Sequence, residues 1–240
     1  MTPLYFVGKW TVGAFMSTAF RPHVQGVDQV PREGGAIIAA NHLSVSDQLF
    51  LGAVVSRQLH FWAKAEYFSL PGIKGPFMKL LMHGLGTIPV HREGGRAALH
   101  ALDAAVPVLK SGELVGLFPE GTRSPDGRLY RGRTGVARLA MEAGVPVVPV
   151  GIAGSDKIQP KGHTVPRISM RGHDVTIKFG APLDFSDRTD DMSSMRAITD
   201  EIMSAIQKLS GQDYTGRYAP RGDAPRKDVP GGDAPAGDAA

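Results

Sequence analysis

The sequence predicts a single α/β domain in which helices cover a mixed, mostly parallel sheet. Short apolar runs alternate with helical stretches from Gly35 onward, as they do in chains that build parallel sheets. The length of 240 residues suits one well-packed core. Hydrophobic residues make up 42% of the chain and charged residues 21%, which is typical of a globular protein rather than a disordered one.

The apolar periodicity places the elements in order. Strands are predicted at Ala36–Ala40, Leu59–Ala63, Leu114–Phe118, Val145–Ile152 and Val175–Phe179. Helices are predicted at Asp47–Arg57, Gly75–Met82, Arg96–Leu109, Gly135–Glu142 and Met195–Leu209. Pro107 is expected to kink or end its helix. The two prolines within Val145–Ile152 are expected to place that strand at a sheet edge or to interrupt it.

The composition divides the chain into three parts. Residues 1–22 are apolar and aromatic, with Lys9 the one charge before Phe20, and suit a segment lying among lipid headgroups. The alternative is an apolar N-terminal helix that packs on the core. Residues 23–210 form the α/β body. Residues 211–240 are rich in Gly, Pro, Ala and Asp, and we expect a disordered tail. No stretch resembles a secretory signal or has the ~18 consecutive apolar residues of a spanning helix.

The residue types present exclude several kinds of chemistry. There is no cysteine, which excludes disulfides, thiol nucleophiles and cysteine-ligated zinc. No G-x-S-x-G, P-loop or H-E-x-x-H motif occurs, so we expect neither a serine acyl-enzyme nor a metal site.

The net charge of +4 favours anionic partners such as phosphorylated substrates, acidic lipids or nucleic acid. Arginines at 128, 131, 133 and 138 have only Tyr130 interleaved, so we expect no nucleic-acid partner. They suit a phosphate, a thioester carrier or a solvated face.

A first polar motif, Asn41-His42-Leu43-Ser44-Val45-Ser46-Asp47, directly follows an apolar strand. The carboxyl end of such a strand is where open α/β folds bind ligands, and imidazole can accept a proton from an attacking hydroxyl. His42 and Asp47 would not share a face of a regular helix. They can meet if a turn precedes the helix, with Ser44 or Ser46 as its N-cap. The alternative is a helix-capping Asp47 beside an incidental histidine.

A second polar motif, Phe118-Pro119-Glu120-Gly121-Thr122-Arg123-Ser124, follows another apolar strand. Arg123 offers a forked donor for phosphate, and Glu120 could accept from substrate hydroxyls or hold Arg123. Taken alone, this motif could be a tight turn with a surface ion pair. Between the two motifs, Gly86–Arg92 ends in a second candidate phosphate ligand, Arg92.

These blocks, followed by Val145-Pro146-Val147-Val148-Pro149-Val150, resemble the glycerolipid acyltransferase family, which includes 1-acylglycerol-3-phosphate acyltransferases. That family is marked by N-H-x4-D, by a short block ending in Arg, by F-P-E-G-T-R-S and by V-P-[VI]-x-P-V. The resemblance extends over residues 24–180 and implies a fold like that of glycerol-3-phosphate acyltransferases. Some bacterial members begin with a two-helix membrane motif, whereas about twenty residues precede Arg21 here.

The resemblance also implies roles for individual residues. His42 is the base, and Asp47 is its partner. The phosphate site of the acceptor is lined by Arg92, Glu120, Gly121, Thr122 and Arg123. Lys64 lies where the family often has a further phosphate-contacting lysine, and the alternative is a solvated surface lysine.

The expected reaction moves a fatty acyl group from acyl-CoA or an acyl carrier protein thioester to the hydroxyl of a lysophospholipid, without a cofactor. Backbone N–H groups near Gly121 are candidate donors to the oxyanion. The protein is expected to bind peripherally at the cytoplasmic face of the cell membrane. Two alternatives remain: the same chemistry on another acceptor, such as a glycolipid or glycerol phosphate, and a noncatalytic lipid- or nucleic-acid-binding protein.

Overall fold

The computed structural model describes residues 2–64, 75–76, 86–90, 97–159, 175–189 and 191–220. The main sheet has six strands in the order β1-β8-β7-β2-β6-β3, and β4 and β5 form a separate parallel pair. The strands are β1 His23–Gln25, β2 Ala36–Ala40, β3 Leu59–His60, β4 Trp62–Lys64, β5 Ile88–Val90, β6 Leu114–Leu117, β7 Val147–Ala153 and β8 Thr176–Phe179. All pairs in the main sheet are parallel except β7 with β8. The predicted mixed, mostly parallel sheet is confirmed.

The helices in the described part of the chain agree with the predicted order and differ mainly at their ends. They are α1 Pro3–Gly8, α2 Ala14–Phe20, α3 Ser46–Val54, α4 Ala97–Lys110, α5 Gly135–Ala143, α6 Ser155–Ile158 and α7 Met192–Ser210. A π-helical stretch, Lys9–Gly13, joins α1 to α2. The predicted helix Gly75–Met82 lies almost wholly outside the described residues.

Helices cover both faces of the sheet, and alternate residues of β2 show how. Ile37 and Ala39 pack on one side with α4, α5 and α7. Ile38 and Ala40 pack on the other side with α2 and α3. Because β2 is buried on both faces, it reads as a continuous apolar run. The carboxyl end of this buried strand is where the polar residues begin.

Proline lies inside one helix and inside one internal strand. Pro107, expected to kink or end its helix, lies inside α4, so the helix does not end there. The expectation of an edge strand or an interrupted strand was wrong. Pro149 lies inside β7, which is an internal strand paired with both β2 and β8. The carbonyl of Pro149 accepts from Gly180 N–H, just beyond the last residue of β8. An N–H at position 149 would point toward Gly180, where the β7–β8 pairing has already ended. Its absence in proline therefore removes no hydrogen bond from that pairing.

The N-terminal segment, Pro3–Phe20, has two different faces. Met16 and Phe20 are buried in the core beside α3, and the Tyr5 hydroxyl accepts from Leu59 N–H at 3.1 Å. The Lys9 ammonium turns inward and donates to the carbonyl of Val55, and burial lowers the pKa of Lys9. The outer face is apolar and exposed, and comprises Phe6, Val7, Trp10, Val12 and Phe15. The core-packing interpretation thus holds for the inner face. No helix in the described part is long and apolar enough to cross a membrane.

The disordered tail was predicted to begin at residue 211, and this boundary is too early. Residues 211–220 run along the body, where Leu129 N–H donates to Asp213 O at 2.9 Å and Arg131 N–H donates to Arg217 O at 2.8 Å. Ala219 is buried. The composition of residues 211–220 predicted disorder wrongly, because backbone hydrogen bonds hold this stretch and such bonds need no apolar periodicity. Residues 221–240 lie outside the described part of the chain.

Candidate active site

The site lies at the carboxyl edge of three neighbouring strands, β6, β2 and β7. Asn41, the first residue after β2, is fully buried and fixes this edge. Its side-chain amide donates to Ile152 O and its carbonyl accepts from Ile152 N–H, both at 2.7 Å. The Asn41 side chain thus adds one further pair of hydrogen bonds to the pairing of β2 with β7. This fixes the direction in which the chain leaves the sheet at His42.

His42 and Asp47 meet, as the sequence predicted. His42 Nδ1 lies 2.9 Å from Asp47 Oδ2, and Asp47 is fully buried while the His42 side chain is 14% exposed. The same oxygen accepts from the N–H groups of Leu43 and Ser44, each at 2.8 Å. Three donors therefore converge on one carboxylate oxygen. They fix the imidazole with Nδ1 protonated, so Nε2 is the nitrogen that can accept a proton.

A turn brings the two side chains together, but its capping differs from the prediction. The N-cap of α3 is Val45, which makes no side-chain capping bond. Instead Ser44 Oγ accepts from Ser46 N–H at 3.2 Å, and Asp47 N–H donates to Ser44 O. Both serines are buried and donate to Gln159. The serines therefore fix the turn against Gln159 rather than end the helix.

The two sequence motifs are joined through the backbone of His42. The His42 N–H donates to Glu120 Oε1 at 3.0 Å, and the His42 carbonyl accepts from Ser124 N–H at 2.7 Å. The turn between these two partners includes Gly121, whose φ of 74° favours glycine. The N–H of Gly121 donates to Phe118 O at 2.9 Å. This N–H is thus engaged within the turn, and the backbone oxyanion donors expected near Gly121 stay a prediction.

An aromatic stack orients the imidazole. The rings of His42 and Phe118 lie 3.9 Å apart at an interplanar angle of 12°, and Phe61 stacks at 6.0 Å on Phe118. Gly116 makes room for this stack, because a Cβ there would lie 2.2 Å from the Phe61 ring. The flat face of Phe118 thus fixes the plane of the His42 ring. From the sequence, Phe118 was predicted as the end of a strand, and its contact with the His42 ring was not predicted.

Glu120 supports the site from within rather than lining a phosphate pocket. Its side chain is 1% exposed. Its second oxygen accepts from Tyr130 N–H at 2.9 Å, so each oxygen holds a backbone amide. Burial raises the pKa of Glu120 to about 7, and the nearby Asp47 adds to the rise, while the two amides oppose it. Its oxygens hold the backbone of His42 and Tyr130 and do not hold Arg123.

The remaining predicted residues fall in different places. Thr122 and Arg123 are half-buried, and Arg123 makes no ion pair among the described residues. The backbone of Lys64 ends β4 and pairs with Val90 of β5, and its side chain is outside the described part. Arg92 also lies outside it. In the described part, no group of three or more His, Cys, Asp or Glu is arranged to hold a metal.

A groove of about 980 Å³ opens beside the stacked rings. Phe118 and Gly121 line one end, and Leu102, Met141 and Phe185 line its apolar wall. The groove has Phe118, the ring on which His42 stacks, in its lining, and its mix of polar and apolar surface suits a substrate with both kinds of part. A base with a fixed tautomer beside such a groove can activate a hydroxyl for attack on a carbonyl.

A model of the acyltransferase family matches residues 21–153, which is more than half of the chain and includes both motifs. The chain belongs to the acyltransferase family. The acyltransferase is 30% identical over 159 residues to a chloroplastic 1-acyl-sn-glycerol-3-phosphate acyltransferase of Brassica napus, a match that covers 66% of this chain and 44% of the relative. It is 32% identical over 141 residues to a 1-acyl-sn-glycerol-3-phosphate acyltransferase of Bacillus subtilis, covering 58% and 67% respectively.

The acyltransferase also resembles a solved structure. The crystal structure of the 1-acyl-sn-glycerophosphate (LPA) acyltransferase PlsC from Thermotoga maritima matches with a TM-score of 0.64 and 27% identity. That match covers 85% of this chain and 80% of the other. The chain spans less than half the length of the plant relative named above.

Proposed function

We propose that this acyltransferase moves a fatty acyl group from acyl-CoA or an acyl carrier protein to the free hydroxyl of 1-acylglycerol 3-phosphate, giving phosphatidic acid. The observation that carries the proposal is the contact of His42 with Asp47 at 2.9 Å, joined through the His42 backbone to the turn that holds Arg123. Relatives named for this reaction, from a plant and from bacteria, support the choice of acceptor.

The proposed chemistry uses one base and two substrates, with no metal or cofactor. Nε2 of His42 takes the proton of the acceptor hydroxyl as its oxygen attacks the thioester carbonyl. The buried carboxylate of Asp47 stabilises the resulting imidazolium. The carbon–sulfur bond then breaks, and the thiolate leaves with the proton that His42 returns. The half-buried Arg123 binds the acceptor's phosphate.

We also propose that the exposed outer face of the N-terminal segment docks on the membrane. Trp10, the most exposed of its side chains, is 65% exposed, and Phe6 and Phe15 lie on the same surface. Because Lys9 turns inward to Val55, this face carries no charge that would oppose contact with lipid. The net charge of +4 suits the anionic lipids of a cytoplasmic leaflet.

A small apolar pocket of about 250 Å³ lies between this segment and α3. Val12 and Leu49 line it near the exposed face, and Phe61 lines it near the aromatic stack on which His42 lies. A pocket in this position gives a fatty acyl chain a path from the membrane toward the reacting carbonyl.

The purified protein tests the proposal directly. Labelled acyl-CoA and acyl carrier protein thioesters are each incubated with lysophosphatidic acid, other lysophospholipids, glycerol 3-phosphate and a glycolipid acceptor. We expect acylation of lysophosphatidic acid to be fastest, and His42→Ala to abolish it. Faster acylation of another acceptor would overturn the choice of acceptor. No transfer to any of them by the folded wild type would overturn the activity itself.

A further inference from the structure

Two arginines beside the site lie over the ring of one tyrosine. The guanidinium carbon of Arg131 is 5.4 Å from the centre of the Tyr218 ring, and that of Arg133 is 5.6 Å from it. Cations at these distances are attracted to the ring face. Tyr218 belongs to the C-terminal segment 211–220, which lies beyond the region that the family model matches.

Neither arginine has a carboxylate partner among the residues that the structure describes. Arg128, close by in the sequence, pairs with Asp126 at 2.6 Å and is thereby neutralised. A tyrosine ring can position two cations without cancelling their charge, whereas a carboxylate would cancel it. The surface around Arg131 and Arg133 therefore keeps a local excess of positive charge, which attracts anions.

Arg133 is placed at the turn of the candidate active site. Its backbone N–H donates to Pro119 O at 2.8 Å. Its side chain packs on Gly121, where an added Cβ would lie 3.0 Å from Arg133 Nε. Arg133 also lines the same groove as Phe118, the ring on which His42 stacks. A ligand bound by this guanidinium would thus lie within reach of the reaction.

The Tyr218 ring is itself held in place from two directions. The neighbouring Arg217 carbonyl accepts from Arg131 N–H at 2.8 Å. On the other side, the Tyr218 hydroxyl accepts from Arg196 at 3.4 Å. The ring is 48% exposed, so it presents the two cations at the surface rather than burying them. These contacts fix a platform for Arg131 and Arg133.

We infer that Arg131 and Arg133 bind a phosphate group of a substrate and that Tyr218 is the positioning residue that holds them for it. This inference rests on the proposed function, in which both substrates carry phosphate. The acceptor has a phosphomonoester. The donor has either the diphosphate and 3′-phosphate of coenzyme A or the phosphodiester that joins pantetheine to an acyl carrier protein. Arginine matches either one, because its planar fork pairs two N–H groups with two phosphate oxygens.

Steady-state kinetics with each substrate varied in turn distinguish the two phosphates. Tyr218→Ala should raise the KM for one substrate about two- to fivefold, as expected for loss of an exposed cation–π contact. Arg133→Ala should raise the same KM roughly tenfold or more. The kcat should stay within about twofold. A rise in KM for acyl-CoA assigns the donor phosphate, and a rise in KM for lysophosphatidic acid assigns that of the acceptor.

Two further variants separate positioning from general support of the fold. Tyr218→Phe keeps the ring and loses only the contact of the hydroxyl with Arg196, so it should raise the KM much less than Tyr218→Ala does. In a protein that already carries Arg131→Ala and Arg133→Ala, adding Tyr218→Ala should have no further effect. Equal KM effects of Phe and Ala at 218, or unchanged KM values in Tyr218→Ala, would overturn the inference.

A binding measurement keeps the inference testable if the proposed reaction fails. Free coenzyme A and glycerol 3-phosphate are titrated separately into wild type, Arg133→Ala and Tyr218→Ala by calorimetry. Weaker binding of either probe to both variants supports the site even if the wild type transfers no acyl group. Binding of neither probe to the wild type, or identical Kd values for all three proteins, overturns it.

Discussion

The turn from Asn41 to Asp47 and the N-terminal segment Pro3–Phe20 are held in contrasting ways. In the turn, directional bonds fix every important group, and three donors converge on Asp47 Oδ2. In the segment, apolar packing of Met16 and Phe20 holds one face together with the hydrogen bonds of Tyr5 and Lys9, and the other face is left to solvent. A site that moves protons needs fixed angles, whereas docking on a fluid surface needs only an apolar area.

The largest expected effect lies in the turn. His42→Ala should lower kcat by about 10²–10⁴-fold, because general-base assistance contributes that much, and should leave the fold intact. Asp47→Asn should lower kcat strongly as well. The side-chain carbonyl of the introduced asparagine can replace Oδ2 of Asp47. Its NH₂ group would then occupy the position of Oδ1, which is buried and has no partner among the described residues. A buried unpaired amide costs about 1–3 kcal/mol.

Steady-state rates and thermal melts of both variants check this prediction. Phe50→Leu, a change in the core beneath the same helix, serves as a control for stability alone. Wild-type turnover in His42→Ala would refute the proposed base.

The two faces of the N-terminal segment should respond differently to substitution. Met16 is 2% exposed, so Met16→Ala should lower the free energy of unfolding by about 2–5 kcal/mol. Trp10→Ser should change stability by less than about 0.5 kcal/mol and weaken binding to anionic vesicles. Denaturant titration and vesicle co-sedimentation measure the two effects. Val27→Ser, another exposed apolar site, is the matched control. Unchanged vesicle binding in Trp10→Ser combined with Phe6→Ser would contradict docking.

Deletion of the whole segment cannot make this distinction, since it would remove Met16 and Phe20 from the core. The sequence suggested two interpretations, membrane contact and core packing, and composition alone could not choose between them. Met16 and Phe20 pack, while Phe6 and Trp10 are exposed, although all four are apolar. Only the tertiary contacts with α3 decide which face is buried.

The Arg123 guanidinium should contribute to acceptor binding. Arg123→Ala should raise the KM for lysophosphatidic acid by a factor that corresponds to about 1.5–3 kcal/mol, the usual contribution of a charge-assisted phosphate contact. The KM for acyl-CoA should change much less. Arg128→Ala, which removes an arginine already paired with Asp126, is the control. An equal effect on both substrates would reassign Arg123.

The sequence predicted the sheet and the meeting of His42 with Asp47, because strand periodicity and a motif at a strand end are both local signals. It did not predict the roles of Asn41, Phe118 and Glu120. Those roles depend on contacts with Ile152, His42 and Tyr130, which come from other strands and loops. Such contacts have no local periodicity. The packing of residues 211–220 was missed for the same reason.

The protonation of Glu120 should make stability depend on pH. Burial raises the pKa of Glu120 from 4.5 to about 7, so the folded state holds its proton more tightly than the unfolded state does. Stability should therefore fall as pH rises from 4.5 to 7, by at most about 3 kcal/mol, and then level off. Glu120→Gln removes this titration. Thermal melts across this range should show a flatter profile for the variant, and parallel profiles would contradict the raised pKa.

The smallest effect is expected at the C-terminal end. Removing residues 221–240 should leave stability and the KM values unchanged, because their sequence is rich in Gly, Pro, Ala and Asp and has no apolar periodicity. Removing residues from 211 onward should instead lower the melting temperature, since Leu129 and Arg131 would lose their partners Asp213 and Arg217. It should also raise a substrate KM, since Tyr218 would no longer hold Arg131 and Arg133. Calorimetry and kinetics on the two truncated proteins compare them directly. Equal behaviour of both would mean that residues 211–220 contribute nothing to the body.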